Sequence, residues 1–191
     1  MSWKAGQPLR LETENYVLRT LTKDDLTDRM VSWFSDPEVM KFVDMPLNLS
    51  NEQVSAFISG FNNKTSFCLG IFDAKTRIFV GFFQIYRLLD LQSARTSVVV
   101  GEKDYWGTGL VVETRAKILD FLFDTLRLHK VFGAVFTRNL PAVFNYKTQG
   151  FRSEGVLKED YPARDGGWHD VYRFAMLDHE WAAIKKAQEN E

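Results

Sequence analysis

The sequence predicts an α+β fold, with a central twisted mixed β-sheet carrying helices on both faces. Three observations carry that reading. Stretches with strand character, alternating or rich in β-branched and aromatic residues, are separated by stretches with helix caps or helical periodicity. One helical stretch, 110–128, has a sharp two-sided pattern. Finally, 191 residues with 45% hydrophobic content and 16 Phe supply a ring-rich core for one domain spanning 1–191. No internal repeat or low-complexity tract interrupts the chain.

The elements follow in order. Residues 16–21 (YVLRTL) alternate and read as a first strand. Thr22 is a plausible N-cap for a helix running to about Phe34, with Asp24 and Asp25 in its first turn. Ser35-Asp36-Pro37 restarts a short helix, because proline suits an early helical position. Ser50, with Gln53 three residues on, forms a capping-box pattern for a helix ending near Gly60. Residues 65–72 and 78–86 are strands joined by the turn Asp73-Ala74-Lys75-Thr76, and 94–100 is another strand. In the helix that follows, Glu113, Lys117, Asp120, Asp124 and Arg127 form a polar stripe. Val112, Ala116, Leu119, Phe123 and Leu126 form the opposite, buried one. Residues 130–136 are a strand, and 141–149 a short helix with Asn139 as N-cap and Gly150 just past its end. Two strands, 151–156 and 171–177, and a helix, 178–187, complete the domain.

Composition excludes several classes. A net charge of -1 with mixed signs gives no general nucleic-acid surface. Cys68 is the one cysteine, so no internal disulfide forms, which fits a reducing cytoplasm. The first ten residues lack an apolar signal core, and no apolar run approaches the ~20 residues of a membrane helix. A cytoplasmic protein without membrane attachment is expected.

The stretch "DYWGTGLVVET", 104–114, joins a strand to a helix through Gly107-Thr108-Gly109. Such a turn offers backbone N–H groups to a phosphate at a helix start. No lysine follows Gly109 as a P-loop requires, and Val112 stands where a dinucleotide fingerprint has its third glycine. A pyrophosphate held by main-chain amides, or a connection that binds nothing, remains.

A second block, "NLPAVFNYKTQGF" at 139–151, follows the next strand. The order is strand, [QR]xxGx[GA]-type turn, long helix, strand, Asn, short helix with tyrosine, then Gly-Phe. It resembles the GNAT superfamily of acetyl-CoA-dependent N-acyltransferases. Tyr105-Trp106, Glu113, Leu18-Arg19 and Asp178-His179-Glu180-Trp181 resemble its ribosomal-protein N-acetyltransferase branch. The resemblance covers nearly the whole chain and implies a three-layer α/β/α arrangement. Two positions depart from the pattern: Asp104 stands where a Gln or Arg is usual, and Ala142 replaces a small polar residue.

The resemblance implies an N-acetyltransferase moving acetyl from a thioester to a primary amine by direct attack in a ternary complex, without metal. It implies pyrophosphate contacts at Trp106, Gly107, Thr108, Gly109, Leu110 and Val111. Pantetheine would lie along Val98, Val99 and Val100, near Asn139, which is equally a helix cap. Tyr146 occupies the position of a general acid; a phenol near ~10 can donate to a thiolate whose thiol titrates near ~8.5. For the base, Glu102, just before the turn, is the carboxylate candidate, with Asp90 or a water relay as alternatives. Glu113 and His129 read as structural at helix ends, and His129, His169 and His179 lack metal-ligand spacing. Cys68 reads as a small core hydrophobe.

The acceptor site is expected from 31–61 and from 158–170, a shaped loop with Tyr161 and Trp168. A protein N-terminus, a polyamine, a sugar-nucleotide amine and an antibiotic amine all fit, in a monomer or homodimer. The alternative is an acyl-CoA-binding sensor or interaction module without turnover.

Overall fold

A computed structural model describes residues 3–164 and 166–189. Its strands are β1 (Arg10–Glu12), β2 (Tyr16–Thr20), β3 (Ser66–Asp73), β4 (Phe79–Leu88), β5 (Ser93–Val100), β6 (Lys130–Phe136), β7 (Arg152–Pro162) and β8 (Trp168–Leu177). Its α-helices are α1 (Asp28–Trp33), α2 (Asn51–Ser59), α3 (Leu110–Asp120), α4 (Leu140–Thr148) and α5 (Asp178–Gln188). The mixed sheet and five helices make an α+β fold, as expected. The chain divides into two units, Met1–Tyr86 with Ser97–Leu110 and Arg87–Thr96 with Val111–Glu191.

In the first unit the strands run β1-β2-β3-β4-β5. β1, which the sequence reading did not find, pairs antiparallel with β2 (Leu11↔Leu18), and β2 with β3 (Leu18↔Ile71). The predicted 73–76 turn forms because the Asp73 carboxylate accepts from the amides of Lys75 and Thr76 at 2.9 and 2.8 Å. Gly81 lets β4 approach β5 closely: an added Cβ would stand 2.3 Å from the Val99 carbonyl oxygen. Met30, Phe34, Met40, Val54 and Phe82 form a fully buried cluster, with Cys68 inside it. Burial pushes the Cys68 thiol up, which keeps it inert.

The helix predicted over 22–34 is two pieces. Asp25 is held by Arg19, at 2.8 and 2.5 Å, and accepts from the Thr22 amide. That closes a 3₁₀ turn at Lys23–Asp25, and Leu26 is extended. Thr27 then caps α1, its hydroxyl accepting from the Met30 amide. After Pro37 the chain makes a 3₁₀ turn, Val39–Phe42, rather than an α-helix. The Ser50–Gln53 capping box of α2 forms as predicted: each side chain accepts from the other residue's amide.

In the second unit the strands run β5-β6-β8-β7. β5 pairs parallel with β6 from Ser93↔Lys130 to Arg95↔Phe132, and β6 goes on pairing with β8 as far as Phe136↔Val171. The 158–170 stretch expected as a loop is mostly a hairpin: β7 and β8 pair out to Pro162↔Trp168, and Asp165 lies outside the described residues. The helix expected to reach Leu128 is α-helical only to Asp120. A π turn, Phe121–Thr125, follows and buries Phe121, Leu122 and Phe123 in succession, which α geometry would spread around the helix. Trp181 of α5 donates to Asp120 at 3.0 Å, fixing the end of α3.

Candidate active site

The glycine turn lies in the first unit. Gly107 (φ 74°) and Gly109 (φ 85°) are both left-handed, a conformation a side chain disfavours. Among the described residues, the amides of Gly107, Thr108 and Gly109 donate to no protein acceptor, whereas the Trp106 amide is spent on the Lys103 carbonyl. The Thr108 hydroxyl donates to the Tyr105 carbonyl at 2.8 Å, which pins the turn. A Cβ on either glycine would meet nothing within 4 Å, so the turn faces open space. Three unspent donors at the start of an eleven-residue helix fit the chemistry of a pyrophosphate, which needs N–H groups and a positive dipole end. Asp104 is exposed beside them.

Val98, Val99, Val100 and Glu102 lead into this turn, and Leu110 begins α3 as a buried anchor. The Val100 carbonyl already accepts from the Trp106 indole at 2.9 Å. Of the strand groups expected to face a pantetheine arm, that one is therefore engaged. Glu102 is also committed: Trp33 donates to it at 3.0 Å and Arg29 forms a bidentate ion pair with it. The Arg29 guanidinium holds its carboxyl below the usual carboxylate range, which weakens it as a base.

Val111, Asn139 and Tyr146 lie in the second unit. Asn139 caps α4, its side-chain oxygen accepting from the Ala142 amide at 3.2 Å. Tyr146 is 4% exposed. Its ring stacks on Phe174 at 5.1 Å and 6°, and meets Phe151 edge-on at 4.9 Å. Its hydroxyl lies against Gly133, the first residue of β6 past the last pairing with β5. Among the described residues that hydroxyl has no hydrogen-bond partner, so its proton is available to an incoming group.

Sequence reasoning missed Arg115, Gln149 and Gly133. Arg115 is buried on α3 with its guanidinium carbon 4.1 Å from the centre of the Tyr146 ring. Gln149 accepts from Arg115 at 3.4 Å and donates to the Val112 carbonyl at 2.8 Å, tying the end of α4 to α3. A signal was available: Arg115 falls at helical spacing with Val111, Ile118, Leu119 and Leu122, a charge in an apolar stripe. His129 and His179 each lie 3.4 Å from Asp178 at the surface. Among the described residues, no group of three or more His, Cys, Asp or Glu side chains is placed to hold a metal ion.

With this geometry in hand, comparison with known proteins is informative. Residues 15–152 match the acetyltransferase (GNAT) domain. The chain is 27% identical over 177 residues to the uncharacterized N-acetyltransferase p20 of Bacillus licheniformis, covering 90% of this chain and 98% of that protein. The fold matches that of Vibrio cholerae spermidine N-acetyltransferase, solved in complex with CoA and spermine (TM-score 0.78, 22% identity, 88% of this chain and 98% of that one). It also matches ribosomal-protein-S5-alanine acetyltransferase from Vibrio fischeri (TM-score 0.79, 16% identity, 91% and 98%).

Proposed function

Because the chain belongs to the GNAT acetyltransferase family, we propose that its residues divide the work of acetyl transfer as follows. The reaction itself is transfer of acetyl from acetyl-CoA to an amine. In this reading the amides of Gly107, Thr108 and Gly109, with Trp106, Leu110 and Val111 around them, hold the pyrophosphate. Three donors left unspent between left-handed glycines are the observation that carries it. The pantetheine arm lies along Val98 to Val100, where the Val99 carbonyl faces β4 and the Val100 carbonyl is kept by Trp106. Asn139 caps α4 and so fixes where Tyr146 stands.

The acceptor nitrogen attacks the thioester carbonyl, a C–N bond forms, and the C–S bond breaks. The departing sulfur takes its proton from the Tyr146 hydroxyl. The amine's proton leaves through a water relay; Glu102, with both oxygens engaged, anchors Arg29 and Trp33 instead of serving as the first base. Residues 1–191 act as one acyltransferase domain in the cytoplasm, as monomer or homodimer. The relatives' names point to two acceptor classes, a polyamine and a protein N-terminal amine.

A panel of polyamines, N-terminal peptides and aminosugars, assayed with acetyl-CoA by release of free thiol, tests this reading. Saturable turnover with at least one amine is expected. Tyr146→Phe should then lower kcat by about 10²-fold or more with little change in KM for acetyl-CoA. Wild-type turnover in that variant would remove Tyr146 from the reaction.

A further inference from the structure

Arg115 is the least expected residue in the second unit. It is 2% exposed, yet among the described residues it has no carboxylate partner. Its Nε has no hydrogen-bond partner at all, and its one acceptor is the neutral Gln149 oxygen at 3.4 Å. Burying a guanidinium this way costs stability, and an apolar residue of similar length would fill the space at less cost. Burial draws its pKa down, but arginine starts so high that it remains a cation at neutral pH. What it has in place of a counter-ion is aromatic surface: Tyr146 at 4.1 Å and Phe151 at 5.7 Å from its guanidinium carbon.

A cation over an aromatic face is attracted to the ring's electron density. The attraction grows when the ring gains charge. A phenol that is giving up its proton gains charge on its oxygen and, by conjugation, on its ring. A cation fixed at the face, in a site shielded from water, therefore favours the transition state over the resting phenol. Phe174, stacked on the same ring at 6°, and Gly133, against the hydroxyl, leave the ring little freedom to move away from that cation.

We propose that Arg115 is a positioning residue for acetyl transfer: it acts through Tyr146, fixing the ring and stabilising the charge that develops on the phenol oxygen as it protonates the leaving thiolate. The proposal rests on the reading of Tyr146 as the acid. It adds a residue from α3 that the turn-and-tyrosine pattern does not contain.

A double-mutant cycle tests it, with acetyl-CoA and the fastest amine of the panel above. Arg115→Met, which keeps length and removes charge, should lower kcat about tenfold and leave KM for acetyl-CoA within about twofold. In the Tyr146→Phe background the same substitution should cause no further fall, because the group it acts through is gone. Arg115→Lys, which keeps a cation, should recover part of the lost kcat. If the Met variant does not fold, Arg115→Gln, which keeps a planar polar end for Gln149, carries the same cycle. An Arg115→Met enzyme with wild-type kcat overturns the proposal. So do losses that multiply in the double variant, since a residue that merely stabilises the fold would act independently of Tyr146. If instead Tyr146→Phe alone turns over normally, the acid reading fails first, and the two failures are told apart by that single variant.

Discussion

Gly133 has no side chain, and the Tyr146 hydroxyl uses the space. An added Cβ would stand 1.9 Å from that oxygen, a distance no real structure tolerates. Gly133→Ala must therefore push the phenol away or tilt its ring off Phe174. Overpacking of this kind costs about 1–3 kcal/mol of stability, and a displacement of about 1 Å at a reacting group costs about 10²-fold in rate. The expected result is a folded protein with lowered melting temperature and a kcat down about 10- to 100-fold, read from melting curves and initial rates. Glu102 makes the opposite prediction. Its carboxyl pKa is lowered in the folded state by Arg29, so the pair's stabilisation is full above the ordinary carboxylate range and fades as pH falls through the lowered value. Arg29 is 57% exposed, so screening by water limits the pair to about 0.5–1 kcal/mol. Glu102→Gln should be destabilised by about that amount at pH 7, and the gap to wild type should close in acid. Its turnover at pH 7 should stay within about threefold of wild type, whereas loss of a general base would cost about 10²-fold or more.

At the scale of elements, α3 begins at the glycine turn proposed to hold the donor. Gly109→Val tests its start. At φ 85° a β-branched residue is strained, while a Cβ there meets no protein atom within 4 Å. The fold should survive, and the amides should be re-aimed and partly covered. KM for acetyl-CoA should rise at least about tenfold, while the backbone strain of about 1–3 kcal/mol lowers the melting temperature without ligand by several degrees; unchanged KM would remove the turn from donor binding. Elements like this were legible in the sequence because local signals decided them: the Ser50–Gln53 box, the Asp73 turn, the glycines, and the Asn139 cap all formed where the residues placed them. Elements decided by long-range contacts were not. The break at Leu26 depends on Asp25 reaching Arg19 on β2, and the long β7–β8 hairpin on strand pairing across a polar stretch. The stripe drawn over this helix named Leu119 and Phe123 as buried, but it was displaced on α3 itself, where Val112 and Ala116 are only half-buried and Arg115 and Ile118 are buried; the π turn after Asp120 then buries Leu122 as well. Tyr146 could be named from the pattern around it; the arginine over its ring had only its spacing in an apolar stripe to mark it, and a buried cation runs against composition rules.

For the whole molecule, donor recognition has a consequence that needs no acceptor. A ligand that binds the folded chain and not the unfolded one stabilises it by RT ln(1 + [L]/Kd), about 2.7 kcal/mol at a hundredfold excess over Kd. For a chain of 191 residues, each kcal/mol moves the melting temperature by about 2–4 °C, so acetyl-CoA at that excess should raise it by about 5–11 °C. The turn carries no lysine to reach terminal phosphates and no third glycine; ATP and NAD at equal concentration should therefore give a shift near zero. Pantetheine isolates the turn's share, since it has the arm but lacks the pyrophosphate proposed for the unspent Gly107, Thr108 and Gly109 amides. If those amides supply the main anchor, pantetheine should shift the wild type far less than acetyl-CoA does. The Gly109→Val protein should then respond to acetyl-CoA about as weakly as the wild type responds to pantetheine. Equal shifts from acetyl-CoA and pantetheine in the wild type would place donor affinity along the Val98–Val100 strand instead, and the glycines would then be there for the bend of the chain and not for the phosphate.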